Sequence, residues 1–414
     1  MRRLAAAALA STTVLGFGAT AVTADAAPTT SSSATAAQSS YVVVLHDSVD
    51  ARVVAPAQAG RFGFDLGHVY TSALQGYSAT MSPTVAAALE ASPAVRWVQE
   101  DRPVSIDAQT TPTGINRANA DASPTAAING VDQRVNVDVA VIDTGADLTH
   151  PDLNIYRAGA RNCSLGAINA NDLNGHGTHV SGTVGALDNG TGVVGMAPGA
   201  RIWPVKVLTD AGSGLNSDVI CGIDYVTSHA SEIEVANMSL GGAGTDDGNC
   251  GNTNQDAMHK AICRSVAAGI TYAVAAGNDS EDAADSTPAA YDEVITVSAL
   301  SDFNGVPGGG APSTCRADVD DTFADYSNYG SDVDLIAPGT CINSTWMLGG
   351  YNTISGTSMA SPHVAGGAAL YKATHPTATP AAVKAALQAA GTLDWNNADD
   401  GDNVKERLLD VTTY

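Results

Sequence analysis

Short apolar runs alternate with helix-length segments from residue 109 to residue 414. Each run has the length of a buried strand and is bounded by turn-forming residues. An alternation of this kind predicts an α/β domain whose central, mostly parallel sheet is covered by helices. In such sheets the functional residues gather at the carboxyl ends of the strands. The predicted strands are 137–142, 202–207, 234–238, 271–275 and 294–297.

A second, smaller pattern precedes this domain over residues 41–107. Residues 41–45 are rich in β-branched residues, and residues 94–98 form a further apolar run. Between them, Pro83 stands at the start of a helical segment that runs through Ala91. The pattern predicts a small α+β unit. Taken by itself, it is also compatible with an independent small domain.

The N-terminus has the pattern of a secretory signal. A basic start is followed by an apolar stretch over residues 4–22 and by the cleavage pattern Ala24-Asp25-Ala26. We predict a signal peptide at 1–26 and a disordered Ser/Thr/Ala-rich linker at 27–40. A membrane anchor is the alternative, but the Ala- and Thr-rich run ends at a cleavage pattern. No later segment reaches about 18 uninterrupted apolar residues, so we expect an exported, extracellular and soluble protein.

The chain is strongly acidic. It has 19 Lys and Arg against 43 Asp and Glu, which gives a formal net charge of −24. Such a surface repels phosphate backbones and anionic lipid headgroups, so nucleic acid and anionic membranes are excluded as main partners. The charge favours solubility and the binding of cations and carries no information on the fold.

Six cysteines follow the signal, and an even count in an exported chain favours disulfides over metal ligation. They are Cys163, Cys221, Cys250, Cys263, Cys315 and Cys341. No C-x-x-C pair suggests zinc, and six cysteines allow fifteen pairings. Among these we favour Cys250–Cys263 and Cys315–Cys341, which close local loops, with Cys163–Cys221 as the third pair.

Three motifs contain the side chains of a nucleophilic hydrolase. Asp143 follows the first predicted strand in D-T-G, His176 lies in N-G-H-G-T-H, and Ser358 lies in G-T-S-M-A-S-P-H. A serine hydroxyl needs an adjacent base that removes its proton as it attacks. An imidazole suits that task, and a carboxylate can hold its tautomer and stabilise its charged form.

Each of these residues also has an ordinary structural explanation. A serine at a helix start is commonly an N-cap, and D-T-G is a good turn sequence. An aspartic protease would need a second D-T/S-G in a β-rich chain, and the sequence has none. His179 and His363 lack the H-E-x-x-H spacing of a metal site, so we interpret both as packed histidines. The length of the serine motif favours catalysis over capping.

The chain order Asp, His, Ser and the three motifs together resemble the subtilisin-like serine proteases, most of all the proteinase K type. The resemblance extends over residues 41–414. It implies a three-layer α/β catalytic domain at 109–414, preceded at 41–108 by a ferredoxin-like inhibitory propeptide. In this family the propeptide assists folding, and its tail, here 103–107, occupies the cleft until cleavage near Gln109.

The resemblance also assigns residues to substrate. Asn278 matches the side-chain oxyanion donor of the family, although a turn asparagine is the alternative. Two edge segments would clamp an extended peptide, and small neutral walls would accept apolar or aromatic side chains of the residue before the scissile bond (P1). These residues are Gly212, Ser213, Gly214 and Leu215, then Ser239, Leu240 and Gly241, and in the pocket Ala275, Ala276 and Gly277.

Calcium is the cofactor that the resemblance implies. Asp334 matches a calcium-ligating aspartate of proteinase K-like enzymes, and the carbonyls of Asp292 and Val294 match its backbone ligands. The sequence departs from the family here, because Asp292 stands where proline is usual. A second acidic run, residues 399–403, is expected to be a solvated loop, since it lacks the glutamate of an EF-hand.

The motifs and the resemblance predict a secreted, monomeric serine endopeptidase that is made as a self-processed zymogen. It would hydrolyse proteins and peptides through an acyl-enzyme, with its own propeptide as inhibitor and folding chaperone. One alternative is a catalytically silent relative that serves as a binding protein, although all three triad side chains are present. The other is a processing protease of narrow specificity.

Overall fold

The computed structural model describes residues 38–101, 108–398 and 400–414. The chain divides into two compact units, one ending at Ser105 and the other beginning at Ile106. The predicted signal peptide, most of the predicted linker and the predicted propeptide tail at 103–107 lie outside the described residues.

The N-terminal unit is a four-stranded antiparallel sheet with two helices. Its elements are β1 (Ser39–Leu45), α1 (Ala51–Phe62), β2 (Asp65–Tyr70), β3 (Gly76–Met81), α2 (Pro83–Glu90) and β4 (Val95–Glu100). The strands lie in the order β2-β3-β1-β4. This arrangement is the predicted ferredoxin-like fold. β1 begins inside the segment 27–40 that was predicted as a linker, so Ser39 and Ser40 belong to the folded unit.

Local sequence explains where these elements begin. Ser82 caps α2 by accepting a hydrogen bond from the N–H of Val85 at 3.4 Å, and Pro83 takes the first helical position, where no N–H partner is needed. On β1, the alternate residues Val43 and Leu45 are fully buried in a core shared with both helices. The unit therefore has a hydrophobic core of its own.

The C-terminal unit contains the remaining helices and strands. In chain order they are α3 (Thr113–Arg117), β5 (Asp138–Asp143), β6 (Arg161–Asn162), α4 (His176–Gly185), β7 (Arg201–Lys206), α5 (Asn216–Ser228), β8 (Val235–Met238), β9 (Gly242–Ala243), α6 (Ala257–Ala267), β10 (Thr271–Ala275), β11 (Ser286–Thr287), β12 (Ile295–Ser301), β13 (Thr322–Phe323), β14 (Leu335–Pro338), β15 (Ile342–Trp346), β16 (Gly350–Ile354), α7 (Thr357–Thr374) and α8 (Pro380–Ala390). Short 3₁₀ turns lie at Ala120–Ala122, Arg157–Gly159 and Ala283–Asp285.

An eight-stranded sheet forms the centre of this unit. Its order is β13-β12-β10-β8-β5-β7-β6, and β14 pairs with β12. Every pair is parallel except β12 with β13. The five strands predicted from apolar runs are β5, β7, β8, β10 and β12, so the mostly parallel α/β sheet is confirmed.

Different helices cover the two faces of the sheet. On β5, Val139 and Val141 belong to a core cluster with residues of α4, α7 and α8, whereas Ala140 and Ile142 belong to a cluster with α5 and α6. Because successive strand side chains point to opposite faces, this interleaving defines three layers. The arrangement is the predicted helix–sheet–helix fold.

Three disulfides cross-link the C-terminal unit. They join Cys163 to Cys221, Cys250 to Cys263 and Cys315 to Cys341, which is the pairing favoured from the sequence. The first ties the segment after β6 to α5, and the second ties the loop before α6 to that helix. Over the described residues, every helix is too short or too polar to span a lipid bilayer.

Candidate active site

Asp143 lies at the carboxyl end of a central strand. It is the last residue of β5 and is fully buried. Its Oδ1 accepts a hydrogen bond of 2.8 Å from Nδ1 of His176 and another of 2.6 Å from the N–H of Thr144. The sequence placed Asp143 at this edge of the sheet, and the fold brings His176 to it from a separate helix.

His176 is the first residue of α4, and two glycines allow its position. Gly175 has a φ of 107°, a conformation that favours glycine. A Cβ on Gly177 would overlap the carbonyl oxygen of Gly145, which belongs to the loop after β5. Glycine at these positions therefore lets the start of α4 approach Asp143 closely. The ring of His176 is 25% exposed and borders a cleft.

The environment of His176 favours its charged form. Burial lowers the pKa of the imidazole, but the charge of Asp143 and the hydrogen bond to it raise the pKa by more. The negative charge of Asp172 adds to this rise, and the resulting pKa lies above the ordinary value of 6.5. The site thus stabilises an imidazolium that forms beside the cleft.

Asp172 organises the loop that leads to His176, a role that the sequence analysis missed. Its Oδ1 accepts the hydroxyl of Thr144 at 3.0 Å and the N–H of Gly175 at 2.9 Å. Its Oδ2 accepts the N–H of Thr178 at 2.9 Å and the hydroxyl of that residue at 2.6 Å. This buried carboxylate therefore links the loop after β5 to the first turn of α4. The one sequence signal was its place two residues before Asn174 in the histidine motif.

Ser358 lies on the first turn of α7 and lines the same cleft as His176. Its hydroxyl donates to the carbonyl of Ser239 at 3.3 Å, and the hydroxyl of Ser239 donates to the carbonyl of Ser358 at 2.7 Å. The helix N-terminus presents its free N–H groups at this position. Ser358 thus combines an accessible hydroxyl with a site that favours a developing negative charge.

Thr357 orients the side-chain amide of Asn278. Asn278 Oδ1 accepts the N–H of Thr357 at 2.8 Å and its hydroxyl at 3.0 Å. Since Oδ1 is engaged, Nδ2 is the group that remains to donate into the cavity lined by Asn278 and Ser358. Ser358 lines the same cavity, so its backbone N–H belongs to the residue that faces Asn278 across it.

His179 and His363 are packed, neutral residues. A ring nitrogen of His179 binds the carbonyl of Ile342 at 2.9 Å, and one of His363 binds the carbonyl of Met359 at 2.8 Å. Burial lowers the pKa of His179 to about 3 and that of His363 to about 4. Both are therefore uncharged at neutral pH.

A cleft of about 450 Å³ runs past His176 and Ser358. Both predicted edge segments, 212–215 and 239–241, line it, so the structure brings all seven of these residues to one groove. Leu208 and Met258 also line it, and the sequence analysis did not single them out. They come from different segments, so only the fold could bring them together.

A second cavity of about 310 Å³ adjoins Ser358 and Asn278. Ala275 and Gly277 line this cavity, as predicted for the pocket, but Ala276 does not. Ala276 is fully buried in a small apolar cluster that includes Ala283 and Ala289. Successive residues at the end of β10 point to opposite sides, which explains the difference.

The second cavity also has charges that the predicted neutral pocket did not include. Four exposed carboxylates lie around it, namely Asp279, Glu281, Asp282 and Asp285. They lie on the segment after Asn278, whereas the walls from β10 are neutral. The expectation of a pocket without fixed charge therefore needs correction: its walls are neutral and its surroundings are acidic.

The predicted calcium ligands converge, but on a lysine. The ammonium of Lys384, on α8, lies 2.8 Å from Oδ2 of Asp334 and donates to the carbonyls of Val294 at 2.8 Å and Asp292 at 3.3 Å. Burial raises the pKa of the Asp334 carboxyl, and the charge of Lys384 opposes that rise. A bound divalent ion would need the space and the oxygen atoms that the ammonium already uses. Asp292, Val294 and Asp334 therefore do not fit calcium while Lys384 is in place.

Two family models match the chain. The model of the subtilase family matches residues 134–404, and that of the peptidase inhibitor I9 matches residues 22–107. The first covers Asp143, His176 and Ser358, and the second covers the N-terminal unit.

Individual relatives agree with these matches. Subtilisin E of Bacillus subtilis is 38% identical over 323 residues, which are 77% of this chain and 76% of that protein. The extracellular serine proteinase of a Thermus species is 38% identical over 337 residues, 79% of this chain and 73% of that protein. A solved structure, described as a cold adapted subtilisin-like serine proteinase, superposes with a TM-score of 0.53 at 32% identity and covers 68% of this chain and 92% of its own.

Proposed function

The chain belongs to the subtilase family and is a subtilisin-like serine endopeptidase, and we propose that Asp143, His176 and Ser358 are its catalytic triad. One observation carries the proposal: Nδ1 of His176 donates a 2.8 Å hydrogen bond to buried Asp143, while the same ring borders the cleft in which Ser358 lies. That arrangement orients the ring so that its other nitrogen serves the cleft as a base.

The proposed reaction begins with Ser358. Its hydroxyl, now directed at Ser239, turns toward Nε2 of His176 and loses its proton as the oxygen attacks the scissile carbonyl. Asp143 stabilises the imidazolium, which then protonates the leaving amine and leaves an acyl-enzyme. Water attacks the ester in a second step, with His176 again as the base.

The oxyanion of the tetrahedral intermediate would be bound by Nδ2 of Asn278 and the backbone N–H of Ser358. Thr357 supports this assignment because it engages Oδ1 of Asn278 and so sets which end of the amide faces the cavity. Donors that are oriented before the reaction cost no reorganisation when charge develops.

Substrate would bind as an extended strand between residues 212–215 and 239–241, with its P1 side chain in the second cavity. The neutral walls at Ala275 and Gly277 support a broad preference for apolar and aromatic P1 residues. The surrounding carboxylates support acceptance of basic P1 residues ahead of acidic ones, because like charges repel.

The enzyme would be made as a secreted zymogen with a signal peptide at 1–26, an inhibitory propeptide through 108 and a catalytic domain at 109–414. The match of residues 22–107 to the inhibitor family supports this order. Gln109 supports a mature start nearby, because its backbone N–H donates to the carbonyl of Gly190 at 3.0 Å and its side chain accepts the N–H of Gly190 at 2.7 Å. The propeptide would inhibit and assist folding, and the mature enzyme would act as an extracellular monomer on proteins and peptides.

Labelling with a fluorophosphonate tests the triad. We expect covalent labelling of Ser358 in the parent and no labelling in Ser358→Ala, with activity reduced at least about 10⁴-fold. The same variant should be secreted with its propeptide still attached in a host that lacks other proteases. A labelled Ser358→Ala chain would contradict the assignment, and an unlabelled parent would favour the catalytically silent alternative. A strict single-residue P1 preference would favour the narrow processing protease.

A further inference from the structure

Three carboxylates meet in the loop after α8, far along the chain from the catalytic motifs. Asp400, Asp402 and Glu406 each offer an oxygen atom, and these atoms lie within 4.8 Å of one another. Asp400 is only 6% exposed and Glu406 only 7% exposed. The acidic run 399–403 was expected to be a solvated loop that lacks the glutamate of an EF-hand, but the fold buries Asp400 and brings Glu406 to it.

Three of the six carboxylate oxygen atoms are buried without a hydrogen-bond donor. Both carboxylate oxygens of Glu406 and Oδ2 of Asp400 are buried and accept no hydrogen bond from another residue in the described part of the chain. Oδ1 of Asp400 accepts a long bond of 3.4 Å from the N–H of Asp402, and Oδ1 of Asp402 accepts the N–H of Val404 at 2.8 Å. Buried carboxylates are normally hydrogen-bonded or paired, so this set requires a proton or a cation.

The neighbouring cations are used elsewhere. The guanidinium of Arg407 donates to the carbonyl of Gly391 at 2.7 Å, and the ammonium of Lys405 lies 5.3 Å from the ring centre of Trp395. Within the described residues, no Lys, Arg or His forms an ion pair with any of the three carboxylates. Burial, together with the negative charges of Asp400 and Asp402, raises the pKa of Glu406 to about 8. Without a bound cation, the ionised form of Glu406 is therefore energetically unfavourable in this buried position.

We propose that Asp400, Asp402 and Glu406 bind one calcium ion. The donor set is entirely oxygen, which selects a hard cation, and three carboxylates in an irregular loop suit the adaptable coordination of Ca²⁺ better than the rigid octahedron of Mg²⁺. The side chain of Asn397 lies beside Asp400 and faces its carboxylate as a hydrogen-bond donor, so the proposed protein ligands are the three carboxylates.

The site would fasten the C-terminal segment to the domain. The carbonyl of Glu406 accepts the indole N–H of Trp395 at 3.0 Å, and Leu408 packs with Trp395, Phe323 and Ile336 in one buried cluster. Ile336 lies on β14 and forms an isolated bridge with Leu408. An ion on Glu406 therefore strengthens the attachment of the chain end to the central sheet. Its expected effect is on unfolding and not on the chemical step, since none of its ligands lines the cleft.

The test uses the full chain with Ser358→Ala, which prevents self-digestion, after chelation and removal of the chelator. Calorimetric titration with CaCl₂ and with MgCl₂ measures stoichiometry, and thermal unfolding measures stability. We expect calcium to raise the unfolding temperature by about 5 °C at saturation, with much weaker magnesium binding. Asp402→Asn, at a half-buried position, should bind one calcium ion fewer per chain. Asp224→Asn, an exposed substitution on α5 with the same charge change, should bind as the parent does.

Glu406→Gln tests the site by its unfolding temperature, which should not fall in EDTA although a calcium ligand is lost. In EDTA it should unfold at the parent temperature or above, because it removes a buried charge, and calcium should no longer raise that temperature through this site. Absence of calcium binding by the parent would overturn the proposal and indicate protonated carboxylates. Unchanged stoichiometry in both Asp402→Asn and Glu406→Gln, or equal affinity for magnesium, would also overturn it. None of these results depends on whether Ser358 is the nucleophile.

Discussion

The ammonium of Lys384 lies 2.8 Å from Oδ2 of Asp334 and 2.8 Å from the carbonyl oxygen of Val294. The lysine side chain from α8 thus occupies a binding position that is formed by oxygen atoms of two separate segments. The position is cationic in this chain without any metal, because the lysine supplies the charge. Its removal should expose a requirement for another cation.

We predict that Lys384→Ala lowers the free energy of unfolding by about 2 kcal/mol in EDTA, since it leaves the partly buried carboxylate of Asp334 without its cationic partner. Added calcium should recover part of this loss, because the oxygen atoms are then free to bind an ion. Denaturant unfolding with and without calcium measures both effects. Lys260→Ala, which removes an exposed lysine, is the control. A Lys384→Ala variant as stable as the parent in EDTA would show that the ammonium does not hold these segments.

We predict that Asn278→Ala lowers kcat by about 10²–10³-fold with little change in KM, because the donor acts on charge that exists only in the transition state. Asn278→Asp separates this role from structure. It keeps an oxygen that can accept the N–H and hydroxyl of Thr357, but it replaces the donor with a negative charge. Steady-state kinetics on a peptide substrate should show Asn278→Asp at least as impaired as Asn278→Ala. Full kcat in either variant would exclude the oxyanion role.

Much of the fold could be predicted from the sequence because strands that are buried on both faces of the sheet are recognisable as apolar runs. The central strands β5, β7, β8, β10 and β12 are short, mostly apolar runs that are almost entirely buried. The two-residue strands β6, β9, β11 and β13 are too short for any period to appear, and the half-exposed hairpin of β15 and β16 has no such run. These elements are set by their neighbours in space.

The residues of the site also fall into two groups, those that a local motif reveals and those that only tertiary contacts reveal. Asp143, His176 and Ser358 stand in dense local motifs, so their residue types and neighbours suffice to single them out. Asp172 binds Thr144 on a separate segment as well as residues of its own loop, and Lys384 contacts distant residues that its place on a helix does not indicate. Glu406 was missed because it lies six positions after Asp400, and only the path of the loop brings the two carboxylates together. Tertiary packing, and not composition, determines such partners.

The pKa of His176 should be measurable as a consequence of Asp143. Nuclear magnetic resonance titration of the imidazole in Ser358→Ala should give a value above 6.5, because the negative charge and hydrogen bond of Asp143 favour the imidazolium. A general base works only when neutral, so kcat/KM of the active enzyme should rise as the pH increases through this value. Adding Asp143→Asn should lower the pKa, since burial then acts with less opposition, whereas Asp224→Asn should leave it unchanged. An identical titration with and without Asp143→Asn would contradict the proposed pairing.

The acidic surroundings of the second cavity predict a graded P1 preference. Cleavage of a peptide library should favour apolar and aromatic P1 residues, accept Lys and Arg, and disfavour Asp and Glu. Asp279 and Glu281 are exposed and their side chains form no hydrogen bond with another described residue, so Asp279→Asn with Glu281→Gln removes charge with little structural cost. In the double variant, the ratio of kcat/KM for a substrate with Lys at P1 to that for a substrate with Glu at P1 should fall by about 2–10-fold. The effect is small because exposed charges interact weakly. High salt should reduce the same ratio in the parent, since it screens exposed charges. A ratio that neither the substitutions nor salt changes would mean that P1 binds away from these carboxylates.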